Sequence, residues 1–291
     1  MLNYFKQLFA DTWYTAESES IKSNSGITKR FVNISTLVIL VYIAFGLSIV
    51  KYYGNTDSIL VNLDLINPGK FATWFCSVFY GSEVGGFYKK IFWVGSIVLF
   101  YLIIPVLIIK FGFKGKLRDY GFSFHNIHKD YPLYIVMMLF MIPVVFFASA
   151  TVAFQERYPI YQPLNDDLFP IFLWWQLAYF LQFVAVEFFF RGFILHGLKN
   201  RFGFYAIFIS MVPYCMVHFG KPFGETISAI FAGIILGTLS LKSRSVVLGI
   251  LIHYSVAITM DFLALYREGL LKLKTCGFNF WSLFKIFDFN I

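Results

Sequence analysis

The feature that most constrains this chain is a series of apolar runs about 18 residues or longer, enough for a helix to cross the hydrocarbon core of a bilayer. Inside hydrocarbon, each backbone N–H and C=O must find its partner within the protein, so runs of this kind fold as packed helices. Spans are read near 32–50, 91–111, 131–153, 168–199, 203–218, 223–241 and 245–266. Residues 54–90 hold a Pro68-Gly69 loop and an apolar stretch from Phe71 to Tyr80 that is too short to cross. Charged residues make up 14% of the chain, against about a quarter in soluble domains. The expected fold is an all-α polytopic membrane protein, a bundle of about seven to eight transmembrane helices with interfacial helices at both termini.

At the N-terminus the apolar core of a signal peptide is missing, while Leu2, Phe5, Phe9 and Trp13 recur at helical spacing. This predicts a short interfacial helix and a polar linker over 1–30. N-terminal transmembrane helices follow over 31–166 and a catalytic set over 167–266. A C-terminal interfacial segment over 267–291 places Phe280, Trp281, Phe284 and Phe287 on one face. Lysines and arginines set the orientation. The loop carrying Lys110, Lys114, Lys116, Arg118 and Lys129, and the turns at Lys199-Asn200-Arg201 and Lys242-Ser243-Arg244, all fall on one side if the N-terminus is cytoplasmic. Lys89 and Lys90 fall on the other side, against that bias. The expected location is the bacterial cytoplasmic membrane. A net charge of +8 suits contact with membrane lipids and not with nucleic acid. The three cysteines, Cys76, Cys215 and Cys276, lack metal-ligand spacing and define no disulfide framework.

Against this apolar background a few ionisable groups stand out. Glu187 and Arg191 lie one helical turn apart in the order that favours an ion pair, and His218 and His253 sit singly in two later spans. A charge at mid-depth costs roughly 2.5–3.5 kcal/mol on insertion scales, so four such groups in neighbouring spans point to joint use. At ~1.5 Å rise per residue, Glu187, His218 and His253 stand about 20, 25 and 13 Å above their nearest basic turns, depths that tilt and side-chain reach can reconcile. The plain alternative is a structural ion pair with two interhelical histidine hydrogen bonds. A proton-coupled transporter would also bury such groups, but the sequence shows no internal repeat and no paired broken spans. His196, near a helix end, receives no role.

Three short patterns carry a resemblance. They read Val186-Glu187-Phe-Phe-Phe-Arg191, Tyr214-Cys-Met-Val-His218 and His253-Tyr-Ser-Val-Ala257. In order and spacing they resemble the motifs of the CAAX-protease and bacteriocin-processing (CPBP, or Abi) family of intramembrane endopeptidases, over about residues 170–265. That family's motifs are a glutamate pair followed after three residues by arginine, an aromatic four residues before a histidine, and a histidine four before Asn or Asp. The resemblance implies that the first glutamate and the second-motif histidine activate water, while the last histidine and its partner hold the oxyanion. Two positions depart from this pattern, since Val186 replaces the leading glutamate and Ala257 the amide or acid.

Acids able to substitute are present. Asp261, eight residues beyond His253, shares its helix face, and Glu225 follows His218 across Gly220-Lys221-Pro222, a break that can fold it back toward the histidine. Glu225 is the first choice of base, with Glu187 and Asp261 behind it; an N-terminal helix charge is its plain alternative. The expected site is Glu187, Arg191, His218, Glu225, His253 and Asp261, in an endopeptidase that cuts a membrane-proximal or lipid-anchored segment of a partner protein. Water activation by carboxylate and imidazole needs no cofactor. A zinc set of His218, His253 and one carboxylate is the less favoured form, because no His-Glu-x-x-His signature occurs. The alternative function is a catalytically inactive membrane scaffold or immunity factor that binds peptide in the same cleft.

Overall fold

The computed structural model describes residues 2–24, 33–64, 69–81, 84–124, 130–162 and 170–269. In chain order the helices are α1 (Leu2–Asn24), α2 (Ile34–Tyr53), α3 (Thr56–Asp64), α4 (Lys70–Phe79), α5 (Gly85–Gly112), α6 (Tyr131–Ala148), α7 (Ile171–Phe202), α8 (Tyr205–Met216), α9 (Phe223–Ser243) and α10 (Val247–Arg267). Among the described residues, six helices are long and apolar enough to cross a membrane: α2, α5, α6, α7, α9 and α10. With the shorter apolar helix α8, this agrees with an all-helical bundle of seven or more membrane-embedded helices. The region proposed for a C-terminal interfacial helix, beyond Gly269, lies outside the described residues.

The sequence of α7 is apolar all round, and a helix of that kind needs neighbours on every side. It has them. Of its most apolar window 72% is buried, against 17–44% in the other five spans, so α7 is the central post. Phe188, Phe189, Phe190 and Phe193 are wholly buried against Ile39 and Tyr42 of α2, Tyr101 of α5, and Ile207 and Tyr214 of α8. Tyr101 stacks on Phe189 with ring centroids 4.5 Å apart. Part of α7, Phe188–His196, is wound as a π-helix, as are Leu99–Ile103 and Ile108–Gly112 of α5. Such widened turns are rare and recur at functional sites.

Two elements differ from the expectation. The segment read as a span over 203–218 is a twelve-residue helix, only ~18 Å long at 1.5 Å per residue. It starts from a tight reversal at Gly203, whose φ of +56° lies in the region that favours glycine; a Cβ there would sit 2.2 Å from the Glu17 carboxylate. In addition, α1 does not stop at a short interfacial helix. It continues through the Ser/Glu/Lys stretch to Asn24, because that stretch has partners: Glu19 accepts from Arg244 at 2.9 Å, and Asn24 donates to the carbonyls of Asn200 and Arg201 at 3.3 Å. Further back, Trp13 stacks on Phe204 (5.4 Å) and donates its indole N–H to Thr238 at 3.0 Å. The N-terminal helix therefore docks on the bundle at the end marked by the two basic turns.

Trp13→Ala should remove both the stack and the hydrogen bond, and by the cost of large-to-small aromatic truncation destabilise the docked α1 by up to about 3 kcal/mol. Hydrogen exchange of residues 2–24 should then accelerate while that of α7 stays slow. Unchanged exchange in α1 would show that the docking does not depend on this residue.

Candidate active site

Glu187 ends the regular part of α7, and Arg191 sits on the first π turn after it. Both are buried, at 0% and 2% exposure, and Arg191 Nη1 donates to Glu187 Oε1 at 3.1 Å. The other face of the guanidinium is covered by the ring of Tyr214, with its carbon 3.9 Å from the ring centroid. A buried pair of this kind is costly to break from one side, by about 3–5 kcal/mol, because the survivor is an unpaired charge in a medium that cannot solvate it. The pair is thus tied into α7 and α8 together.

The two histidines meet the same centre. His253, on α10, places Nδ1 at 2.8 Å from Glu187 Oε1. Its approach depends on Gly249, one turn earlier on the same face: a Cβ there would stand 3.0 Å from Glu187 Oε2. His218 lies just past the end of α8, where Pro213 interrupts the helical ladder, and its Nδ1 faces the Tyr214 carbonyl at 2.8 Å. Thr226 holds the turn by donating to the His218 carbonyl at 2.9 Å. Tyr214 is the hub: its ring lies edge-on to His218 (4.8 Å) and to His253 (6.0 Å). Four of the six residues expected from the sequence, Glu187, Arg191, His218 and His253, therefore gather around one aromatic ring.

These contacts fix both tautomers. A carbonyl can only accept, so His218 carries its proton on Nδ1 and leaves Nε2 with a bare lone pair. The Glu187 carboxylate, paired with Arg191, also accepts, so His253 carries a proton on Nδ1 and points Nε2 away from that contact. Both imidazoles thus turn Nε2 away from the contact that orients them.

The other two acids have different partners. Glu225 accepts from the Tyr158 hydroxyl at 2.8 and 2.9 Å and pairs with Lys221 at 2.6 Å, instead of folding against His218. Burial, and then the Glu225 charge, push the Tyr158 phenol well above its usual range, so it remains a donor at any ordinary pH. Asp261, wholly buried, accepts from the backbone N–H of Ile160 (3.2 Å), the Trp175 indole (3.2 Å) and the Gln176 amide (3.0 Å). Those three donors satisfy the carboxylate. Both acids thus fasten the 151–162 connection onto α7, α9 and α10. Val186 and Ala257, the two departures, are buried in apolar clusters, the second with Trp175 and Tyr179. Among the described residues, no three His, Cys, Asp or Glu side chains converge as a metal-binding group.

Residues 168–259 match the family model described as type II CAAX prenyl endopeptidase Rce1-like. The matched segment covers about a third of the chain. It spans α7 through most of α10, contains every residue of the Tyr214-centred cluster, and agrees with the CPBP resemblance read from the motifs. No curated protein and no solved structure matches the chain. Tyr214 is the residue whose importance the sequence shows only as the aromatic of the second motif; its spacing of four before His218 was the available signal.

Two outcomes follow from this geometry. Arg191→Leu should lower stability by about 3–5 kcal/mol, because Glu187 is left buried and unpaired, and Arg191→Lys should recover only part of it. Thermal unfolding of the purified variants in detergent checks this; equal midpoints for Leu and wild type would contradict it. Gly249→Ala should push the Glu187 carboxylate away from His253 and abolish activity while leaving membrane yield near normal. Full activity in that variant would show that the close approach is not required.

Proposed function

We propose that this integral membrane protein is an intramembrane endopeptidase that hydrolyses a peptide bond in a membrane-proximal or lipid-anchored segment of a partner protein. The observation that carries the reading is the pair of imidazoles whose tautomers are both set, with the carboxylate of Glu187 behind one of them. A carboxylate accepting from Nδ1 orients an imidazole and stabilises the positive charge that forms when Nε2 takes a proton, which is the logic of acid–histidine pairs in hydrolases generally. His253 is therefore the base. His218, whose bare Nε2 accepts the second hydrogen of the same water, positions it.

The reaction then runs without a substitute for the missing glutamate. Water attacks the scissile carbonyl carbon as His253 Nε2 takes one of its protons. The tetrahedral intermediate collapses, the C–N bond breaks, and the His253 imidazolium returns its proton to the departing amine. Arg191 keeps Glu187 ionised and in place, and Tyr214 packs the pair against both rings. This assignment moves the base from Glu225, the first choice from the sequence, to His253, because the Glu187 carboxylate stands behind His253. The docking of α1 beside the two basic turns supports a cytoplasmic N-terminus by the positive-inside bias. A lipid-anchored or prenylated substrate is the class that the CAAX-type match suggests.

The purified full chain in nanodiscs, supplied with a farnesylated CAAX-type peptide and a panel of membrane-anchored reporters, tests the proposal. His253→Gln should lower cleavage by about 10²–10⁴-fold, the usual contribution of a positioned general base. Glu225→Gln should cleave normally, since its carboxylate serves Tyr158 and Lys221. Loss of cleavage in Glu225→Gln with retention in His253→Gln would return the base to Glu225. Absence of cleavage by the wild type alongside tight binding of the same peptides would favour the scaffold reading.

A further inference from the structure

At the end of the bundle where α1 docks, a cavity of about 1110 Å³ opens between the start of α2, the 113–123 connection and the two basic turns. It lies apart from the Tyr214 cluster, and the proposed chemistry makes no use of it. Arg118, Lys199, Arg201, Lys242 and Arg244 line it. Lys242 is paired with Asp130 at 2.5 Å and Arg244 with Glu19 at 2.9 Å. The other three cations form no ion pair among the described residues. Lys199 donates to the His196 ring (3.2 Å), Arg201 donates to the Asn24 amide oxygen (3.4 Å), and Asp119 is the one further carboxylate among the described residues of the wall. The cavity is therefore net positive. The first turn of α2, with Asn33, Ser35 and Thr36, also opens into it, adding the positive end of a twenty-residue helix.

A second concavity adjoins the first across shared wall residues. An apolar groove of about 890 Å³ runs along the outside of the bundle between α2 and α5, lined by Ile34, Val38, Ile104, Leu107, Ile108 and Phe111. The two share Ser35 and Phe113. The groove faces the surface that hydrocarbon covers, and the cavity sits where the spans end. A polar cationic chamber adjoining an apolar channel at a membrane boundary matches one chemistry: an anionic head on an acyl chain.

We propose that this adjoining pair is a binding site for one anionic glycerophospholipid, its phosphate held by Arg118, Lys199 and Arg201 and an acyl chain laid along the α2–α5 groove. A soluble phosphate would satisfy the chamber alone and gain nothing from the groove. The lipid satisfies both.

The test uses the full chain in nanodiscs of mixed phosphatidylglycerol and phosphatidylcholine, released for native mass spectrometry. Phosphatidylglycerol should be retained in preference to phosphatidylcholine, and Arg118→Gln/Arg201→Gln should reduce that retention about tenfold or more, given the attraction each basic residue contributes near an anionic surface. Leu107→Trp, which fills the groove, should reduce it as well, and millimolar inorganic phosphate should not displace the lipid. Lys114→Gln/Lys116→Gln removes equal charge outside the cavity and should leave retention unchanged. Each variant is first checked for a monodisperse profile, and the two arginines suit the purpose because Arg118 has no ion pair here and Arg201 only a long amide contact. Equal retention of the two lipids, or equal loss in the Lys114/Lys116 control, would overturn the proposal. Displacement by phosphate with no effect of Leu107→Trp would reassign the chamber to a free anion and remove the lipid.

Discussion

The buried pair of Glu187 and Arg191 is the interaction on which the rest of the site depends. A carboxylate and a guanidinium at 0% and 2% exposure, inside the most enclosed helix of the bundle, are tolerable only with each other and with further polar contacts. Those contacts come from other helices: His253 from α10, and the Tyr214 ring from α8 against the guanidinium face. The need to satisfy one charge pair thus fixes the mutual placement of three helices. Wherever that placement holds, the two imidazoles are brought to a common ring with their basic nitrogens turned outward. The packing of three helices rests on these few atoms.

The distribution of acids carries a second lesson. Relative to the family motifs, this chain lacks one carboxylate at Val186 and one amide or acid at Ala257. Two other acids lie close in sequence, but both already have structural partners. Asp261 collects three donors from the 160–176 region, and Glu225 is shared between Tyr158 and Lys221. They hold the outer connection onto the bundle. The carboxylate at the centre of the cluster is Glu187, whose Oε1 serves both Arg191 and His253.

Much of this was legible in the sequence. Apolar run length gave six of the seven spans read, since a helix satisfies its backbone in hydrocarbon within one segment. The i, i+4 spacing of Glu187 and Arg191 gave their pairing. The helix face shared by His253 and Asp261 was also readable, but which of the two reached the centre was not. That depends on Gly249, whose missing side chain lets α10 approach Glu187, and a lone glycine in an apolar run has many explanations. The fate of Glu225 was hidden for a similar reason: its partner, Tyr158, lies 67 residues away in a connection with no strong pattern. The extension of α1 to Asn24 was missed because its polar residues read as a linker until Arg244 and the 200–201 carbonyls are seen to meet them. Local spacing reports what one helix presents; it does not report which neighbour arrives.

The proposed chemistry requires that Glu187 hold His253 with its proton on Nδ1. Solid-state ¹⁵N NMR of the histidine-labelled chain in lipid, with the His253 signals assigned by their loss in His253→Gln, measures this directly. The expected result is a His253 ring with its proton on Nδ1 in a strong hydrogen bond to Glu187. A His253 ring found in the opposite tautomer, with the proton on Nε2 and none on the nitrogen facing Glu187, would contradict it.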